Sequence, residues 1–289
     1  MLNKTSVVIP AKNEAVSLKI LIPQLKTMYP DLLEIVIVND GSEDDTVKVC
    51  EELGVTLVTH IFSRGNGAAI KAGARKAKGE ILCFMDADGQ HKAESVGRLL
   101  TELSQGFDMV VGARKRHAQA SKSRMLANGF YNWFSSKITN YPIKDLTSGL
   151  RCVYREKFNE FLHLLPNGFS YPTTITMAFL RAGYQVGYHF EAVSGDRIGK
   201  SHINPLSDGL RFLLIIFKVG TLYSPLKVFT PFSVLMFLTA TLYYLYTFIS
   251  SGQLTNMSVI LFTTSVIIFL IGLVSEQINT LIFMNSRRD

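Results

Sequence analysis

The sequence predicts an α/β fold: a Rossmann-like, mostly parallel sheet with helices on both faces, followed by an amphipathic helix and two transmembrane helices. Three observations carry this expectation. Short β-branched apolar runs alternate with helical segments along residues 5–192, the pattern of successive βα units. The runs end in Pro10, in Asp40, and in Asp86 with Asp88, and in such sheets ligands bind beyond the carboxyl ends of the strands. From Val228 onward charges nearly vanish.

The 289 residues suffice for one large α/β domain and a smaller unit. Hydrophobic residues make up 47%, high for a wholly soluble protein, and the excess lies in the tail. A net charge of +7 and a pI near 9.2 on a chain with an apolar tail point to anionic lipid or phosphorylated substrates. Nucleic acid is not expected, because no basic helix or interleaved aromatic platform is present. Cys50, Cys83 and Cys152 have no metal-ligand spacing and suit buried thiols in a reducing compartment. The first residues lead straight into a strand, so no signal peptide is expected.

Residues 5–9 read as a strand closed by Pro10, and Asn13 is expected to cap a helix reaching Leu25. Residues 34–38 form a second buried strand, ended by Asn39-Asp40-Gly41-Ser42; a helix over 44–53 and a strand over 55–60 follow. Arg64-Gly65-Asn66-Gly67 opens a helix over 68–78. It lacks the Gly-Lys-Ser/Thr ending of a Walker loop, which leaves a tight turn with Lys71 one helical turn in.

The next strand, an apolar run from Gly79, carries the strongest chemical signal. Asp86 and Asp88 emerge from it two residues apart, with Gln90 at the same spacing. Paired carboxylates at a strand end suit a hard cation, Mg²⁺ or Mn²⁺, shared with the phosphates of a nucleotide. Asp-Ala-Asp alone is equally compatible with a polar turn. Asp40 fits either a strand-to-helix turn or an acceptor for a ribose or base, and Glu14 either a helix N-terminus or a nucleotide contact.

Taken together, Val7-Val8-Ile9-Pro10-Ala11-Lys12-Asn13-Glu14, Val38-Asn39-Asp40-Gly41-Ser42, Arg64-Gly65-Asn66-Gly67-Ala68 and Asp86-Ala87-Asp88-Gly89-Gln90 resemble family 2 glycosyltransferases of GT-A fold. More closely they are similar to polyprenyl-phosphate glycosyltransferases of the dolichol-phosphate mannose synthase group, over residues 5–201. The resemblance implies donor contacts at Pro10, Glu14 and Asp40, with Lys12, Val38 and Ala87 in the same motifs and Lys71 as a further candidate. It implies metal ligation by Asp86, Asp88 and Gln90. Where relatives often have Asp-Asp-Gly-Ser, this chain has Asn39 first and keeps the second acid, Asp40.

Residues 107–112 form a further strand closed by Arg114-Lys115-Arg116, and Arg114 is the cation expected to face a departing diphosphate. A helix over 123–138 carries the only tryptophan, Trp133, expected to pack. Asp145-Leu146-Thr147-Ser148-Gly149-Leu150-Arg151 resembles the family's Asp-x-Thr-Ser-Gly-x-Arg segment; the role of Asp145 stays open. A helix to Ala182 and a strand over 187–192 follow. Relatives usually show Arg-x-x-Gly-x-Ser-Lys, whereas here Arg197-Ile198-Gly199-Lys200-Ser201-His202 is one residue shorter and ends in His202. Arg197, Lys200 and His202 form a cationic cluster able to hold an acceptor phosphate.

Residues 207–218 put Ser207, Arg211 and Lys218 on one narrow face of an otherwise apolar helix, which suits the membrane surface. Residues 232–249 and 258–274 are uncharged enough to span a bilayer. Lys227 before the first and Arg287-Arg288 after the second place both termini and the catalytic domain in the cytoplasm.

The expected division is a catalytic domain over 1–203, an interfacial helix over 204–227 and a transmembrane hairpin over 228–289. The expected activity is inverting, metal-dependent transfer from a nucleotide-diphosphate sugar to a polyprenyl phosphate, with Asp86, Asp88, Arg114 and Arg197 as catalytic residues. Another lipid or glycan acceptor, or a tethered nucleotide-binding module without turnover, are the alternatives. The sugar, base, polyprenol length and oligomeric state, a homo-oligomer included, are left open.

Overall fold

A computed structural model of the chain describes residues 1–89, 91–114, 122–168, 170–191 and 223–285, with 214, 217, 218, 220 and 221. Among the described residues seven strands form one sheet: β1 (Thr5–Ala11), β2 (Glu34–Asp40), β3 (Thr56–His60), β4 (Ile81–Phe84), β5 (Met109–Arg114), β6 (Arg151–Tyr154) and β7 (Val186–Glu191). Their order is β3-β2-β1-β4-β6-β5-β7. All run in one direction except β6, which pairs antiparallel with both β4 and β5. The sheet crosses from the β1 side to the β4 side at its centre, which is where a doubly wound sheet opens its ligand crevice.

Side-chain alternation along the strands divides the core in two. Val7, Ile9, Ile35, Ile37 and Cys83 pack on one face with Leu18, Leu21, Ile22 and Leu25 of α1 (Ala15–Met28), Val49 and Cys50 of α2 (Thr46–Glu52), and Val96, Leu99 and Leu103 of α4 (Glu94–Leu103). Val8, Val36, Val38, Leu82 and Phe84 pack on the other with α3 (Asn66–Lys76), α6 (Arg155–Glu160) and α7 (Tyr171–Ala182). α3 lies close to the strands because Gly73 has no side chain: a Cβ there would stand 2.3 Å from Val8 Cγ1 and 3.0 Å from Val38 Cγ2. All three cysteines are buried and free, as expected from their scatter.

The structure departs from the sequence reading in three places. α1 begins at Ala15, not under an Asn13 cap. Asn13 takes a left-handed backbone (φ 57°) and accepts from the Glu43 N–H, while the Ala15 N–H donates to Asp44. Trp133 of α5 (Lys122–Thr139) is 58% exposed and does not pack in the core. The expectation named neither α4 nor β6, and β6 turns out to shape the site. The interfacial helix expected over 207–218 lies mostly outside the described residues.

C-terminal to the sheet, α8 (Pro225–Ser251) and α9 (Asn256–Asn285) form an antiparallel hairpin. Both are long and apolar enough to cross a membrane. Large side chains such as Leu242 (69%) and Ile249 (84%) face outward, as in a helix solvated by lipid. The helices approach closely at Gly272, where a Cβ would stand 2.8 Å from Phe229 Cβ, and Ser233 Oγ donates to the Ser265 carbonyl across the pair.

Candidate active site

The site grows from the exit of β4. Residues 81–85 are fully buried, and alternation then turns Asp86 outward (34% of its side chain exposed), Ala87 inward (3%) and Asp88 outward again. Two carboxylates thus reach the crevice from one strand end.

β6 supplies the other wall. Its register pairs Phe84 with Arg151 and Val111 with Arg151. Extended two and three residues, that register sets Gly149 opposite Asp86 and Ser148 opposite Arg114. The extension agrees with the hydrogen bond from the Gly112 N–H to the Leu150 carbonyl (2.9 Å) and that from Ser148 Oγ to the Gly112 carbonyl (2.6 Å). Residues 145–150 therefore cross the carboxyl ends of β4 and β5 as one loop. At Gly149 the loop comes so near that a Cβ would stand 2.3 Å from Asp86 Oδ2.

Asp145, whose role the sequence left open, orients Arg114. Arg114 donates from Nε to Asp145 Oδ2 (2.8 Å) and from a terminal nitrogen to Oδ1 (3.0 Å), a bidentate fork, and also to Thr147 Oγ1. The Arg114 backbone N–H donates to the same carboxylate. Burial pushes the Asp145 carboxyl up, but these bonds hold it below the ordinary carboxylate value. Burial also opposes the Arg114 charge, and the Asp145 carboxylate, with Asp86 and Asp88 nearby, raises its pKa above the usual one. Arg114 is thus a permanent cation, held rigidly beside the two outward carboxylates.

Beneath the loop, Arg151 is wholly buried and, among the described residues, has no carboxylate as a hydrogen-bond partner. It donates to the carbonyls of Ser148 (2.5 Å) and Pro172 (3.1 Å) and to Thr176 Oγ1, and stacks near Tyr171. The final arginine of the motif therefore ties the site loop to the start of α7. On the other side, His91 Nε2 lies 3.8 Å from Asp86 Oδ2 and is itself buried.

Most of the residues expected to contact a donor lie at or near the carboxyl ends of β1 and β2. Asp40 is 5% exposed, and its carboxylate already accepts four hydrogen bonds: from Arg64 N–H and His60 Nδ1 (both 2.8 Å to Oδ1), and from Ser63 Oγ and Gly65 N–H (2.8 and 2.9 Å to Oδ2). Burial opposes ionisation, yet the His60, Arg64, Ser63 and Gly65 bonds lower its pKa to about 2. With all four lone-pair positions used, the carboxylate itself fixes the turn that opens α3; a base or ribose hydroxyl would have to displace one of these donors. Glu14 precedes α1 and accepts from Ser17 Oγ. Lys12 is exposed and Pro10 half-buried, while the side chains of Val38 and Ala87 lie in the core. Lys71 donates to the Leu165 carbonyl and to Asn167, and so braces the 165–167 loop.

The donor set fits a hard cation. Asp86 and Asp88 offer oxygen donors, both reach the crevice, and the missing Cβ of Gly149 leaves room for the Asp86 carboxylate. Among the described residues no set of three or more His, Cys, Asp or Glu is arranged to hold a metal by itself, and hard cations of this kind are usually bound by one or two carboxylates with the remaining oxygens from phosphate or water. Gln90, Arg197, Lys200 and His202 lie outside the described residues. The contributions that sequence reasoning missed are those of Gly149, Arg151 and Asp145, all within the one motif that crosses the site.

The family model for glycosyl transferase family 2 matches residues 6–162, more than half of the chain and the strand-end residues from Pro10 to Arg151. The chain belongs to glycosyltransferase family 2. A second model, the GtrB C-terminal hairpin, matches residues 224–281 of this family 2 glycosyltransferase. The chain is 33% identical over 174 residues to an undecaprenyl-phosphate 4-deoxy-4-formamido-L-arabinose transferase of Proteus mirabilis, covering 56% of this chain and 52% of that one. It is 30% identical over 204 residues to the protein of the same name from Salmonella paratyphi B, covering 68% and 62%. The chain spans about half the length of the first of these curated relatives. Among solved structures it resembles glucosyl-3-phosphoglycerate synthase of Mycobacterium tuberculosis, crystallised with Mn²⁺, uridine diphosphate and glucosyl-3-phosphoglycerate. The TM-score is 0.59 at 19% identity, over 75% of this chain and 79% of that one, so the likeness is one of fold: the GT-A fold expected from the motifs.

Proposed function

We propose that this chain transfers a sugar from a nucleotide-diphosphate donor to a polyprenyl phosphate at a membrane surface, with inversion at the anomeric carbon. The observation that carries the reading is the pairing of Asp86 and Asp88 with a rigidly forked Arg114, on a chain that also carries an apolar hairpin. The undecaprenyl-phosphate transferases to which it is similar support the acceptor class. A phosphate oxygen of the acceptor attacks the anomeric carbon from the face opposite the leaving group. The new carbon–oxygen bond forms as the bond to the donor diphosphate breaks, and the electron pair leaves on that diphosphate. The acceptor phosphate is already ionised, so no strong base is required; this agrees with Asp145 being used to hold Arg114.

Asp86, Asp88 and Gln90 would hold Mg²⁺ or Mn²⁺, which would neutralise diphosphate charge as it develops. Arg114 supplies a fixed positive charge to the same leaving group, and Asp145 and Thr147 keep it in place. Pro10, Lys12, Glu14, Val38, Asp40, Lys71 and Ala87 form or support the donor side. The Asp40 contribution is to hold the 63–65 turn. Arg197, Lys200 and His202, which precede the hairpin in the chain, are assigned to the acceptor phosphate. Residues 1–203 act as the catalytic domain, 204–227 as the interfacial segment and 228–289 as the membrane hairpin, with both termini cytoplasmic.

The test is release of nucleoside diphosphate from a panel of nucleotide sugars, using the full chain in vesicles with and without undecaprenyl phosphate. Release that requires both the lipid and a divalent cation is expected. Release that ignores the lipid would make the protein a hydrolase or assign another acceptor. Donor binding without release for any sugar would make it a binding module.

A further inference from the structure

The hairpin carries only two charged side chains across residues 225–285, Lys227 and Glu276. Both point back to the catalytic domain. Glu276 Oε1 lies 3.4 Å from a terminal nitrogen of Arg181, at the last turn of α7. Its second oxygen accepts from Ser224 Oγ and from the Leu226 N–H (3.2 Å each), and so satisfies the first turn of α8. Arg181 also donates to the Tyr223 carbonyl, directly before α8. Lys227 Nζ donates to the Ile138 carbonyl (2.9 Å), and Tyr223 OH to the Thr139 carbonyl (3.2 Å), which places a cation and a donor on the carboxyl end of α5. Asn279, one turn beyond Glu276, donates to the Thr221 carbonyl.

These contacts meet at one level. Glu276 lies twenty residues into α9, about 30 Å along the helix from Asn256, or roughly one bilayer core from the hairpin tip. The pair is therefore set where the apolar span ends, in a half-dry setting: Arg181 is 16% and Glu276 25% exposed. A lone glutamate near hydrocarbon is costly and is retained when it has a partner. Here the partner belongs to the soluble domain.

We propose that the Arg181–Glu276 pair, with Lys227 on the end of α5, is a rigid joint that fixes the catalytic domain's orientation on the membrane hairpin, so that Arg181 and Glu276 are positioning residues for transfer to a bilayer-held acceptor. The proposal rests on the functional reading above in one respect, that the acceptor is held in the membrane. The joint sets the direction in which the Asp86 edge faces and its height above the bilayer. Without it the domain remains folded but samples many orientations, and the encounter with a lipid phosphate becomes rare.

The experiment compares wild type, Arg181→Glu, and the exchanged Arg181→Glu/Glu276→Arg protein, each as the full chain in phosphatidylethanolamine–phosphatidylglycerol nanodiscs. Spin labels on Thr101→Cys and Gln253→Cys report the distance between domain and hairpin. Wild type and the exchanged protein should give one narrow distribution and Arg181→Glu a broad one. In vesicles with undecaprenyl phosphate, Arg181→Glu should lose roughly tenfold or more in kcat/KM for the lipid and the exchange should recover most of it, while a short, detergent-soluble prenyl phosphate is used equally by all three. An unchanged narrow distribution in Arg181→Glu, or equal loss with both acceptors and no rescue, would overturn the joint. A wild type that transfers to neither acceptor would refute the functional reading, yet the distance measurement would still decide the joint.

Discussion

Gly149→Ala tests the geometry of the site with one methyl group. The added Cβ would stand 2.3 Å from Asp86 Oδ2, 2.8 Å from Oδ1 and 2.9 Å from Cγ. Carbon–oxygen contact closes near about 3.3 Å, so the carboxylate has to retreat by about 1 Å or the loop has to lift, and protein interiors do not yield that freely. Lifting the loop is resisted by the Ser148 bonds to Gly112 and Arg151. Displacing the carboxylate into an off-rotamer position costs about 1 kcal/mol, a small part of a domain's stability. A ~1 Å misplacement of a catalytic group, however, lowers rate by about a hundredfold. The expected result is a protein whose unfolding midpoint moves by a few degrees, whose kcat/KM falls by about two orders of magnitude, and whose Mn²⁺ requirement rises. Gly129→Ala is the control, since its Cβ would meet nothing within 4 Å, and it should behave as wild type. Full activity with an unchanged metal requirement in Gly149→Ala would refute the argument that Asp86 is held against this loop for metal binding.

Other changes separate the remaining parts. Asp88→Ala should abolish transfer without loss of fold, as should chelation of divalent metal, while Asp86→Asn, which keeps one neutral oxygen, should impair turnover less; transfer surviving both Asp88→Ala and chelator would remove the metal from the account. Asp145→Asn should lower kcat tenfold to a hundredfold by releasing one arm of the Arg114 fork, and Arg114→Lys should not substitute for arginine, because a point charge cannot make two parallel bonds; wild-type kcat in either would assign the pair to the fold alone. Asp40 has a depressed pKa, so the stability it contributes is present above the unfolded carboxylate value near pH ~3.9 and is lost as pH falls through about 2. Acid unfolding followed between pH 4 and 2 should therefore be less steep in Asp40→Asn than in wild type, and an identical slope would contradict the four-bond cradle. A reporter fused after Asp289 should be cytoplasmic and one inserted at Gln253 on the far side of the membrane; the same side for both would break the hairpin reading.

The parts of this protein that were legible in the sequence are those governed by local pattern. Continuous apolar runs ending in Pro10, Asp40 and Asp86 gave the parallel strands and the edge on which the candidate site lies, because a strand buried on both faces leaves a continuous apolar signature. The scarcity of charge after Val228 gave the hairpin. What stayed hidden depends on residues far apart in sequence. β6 is four residues long, holds a buried arginine at its first position and runs against its neighbours, so no βα alternation announces it. Asp145 is explained only by Arg114, 31 positions away, and Gly149 only by Asp86. The Asn13 cap failed for a local reason with a distant cause: the Glu43 N–H takes its side chain. Asp40 was expected as a site residue from its place at a strand end, but its four donors come from residues 60–65 across the edge of the sheet, and these decide what its carboxylate does.

The most direct test of the account is the mass of the lipid after reaction. The full chain in vesicles of undecaprenyl phosphate, given Mn²⁺ and each nucleotide sugar in turn, should convert the lipid, for the correct donor, to a species heavier by one sugar residue. It should release one nucleoside diphosphate per lipid converted, and Asp88→Ala should give neither product. A lipid of unchanged mass while the donor is consumed, or a heavier lipid formed equally well by Asp88→Ala, would contradict it.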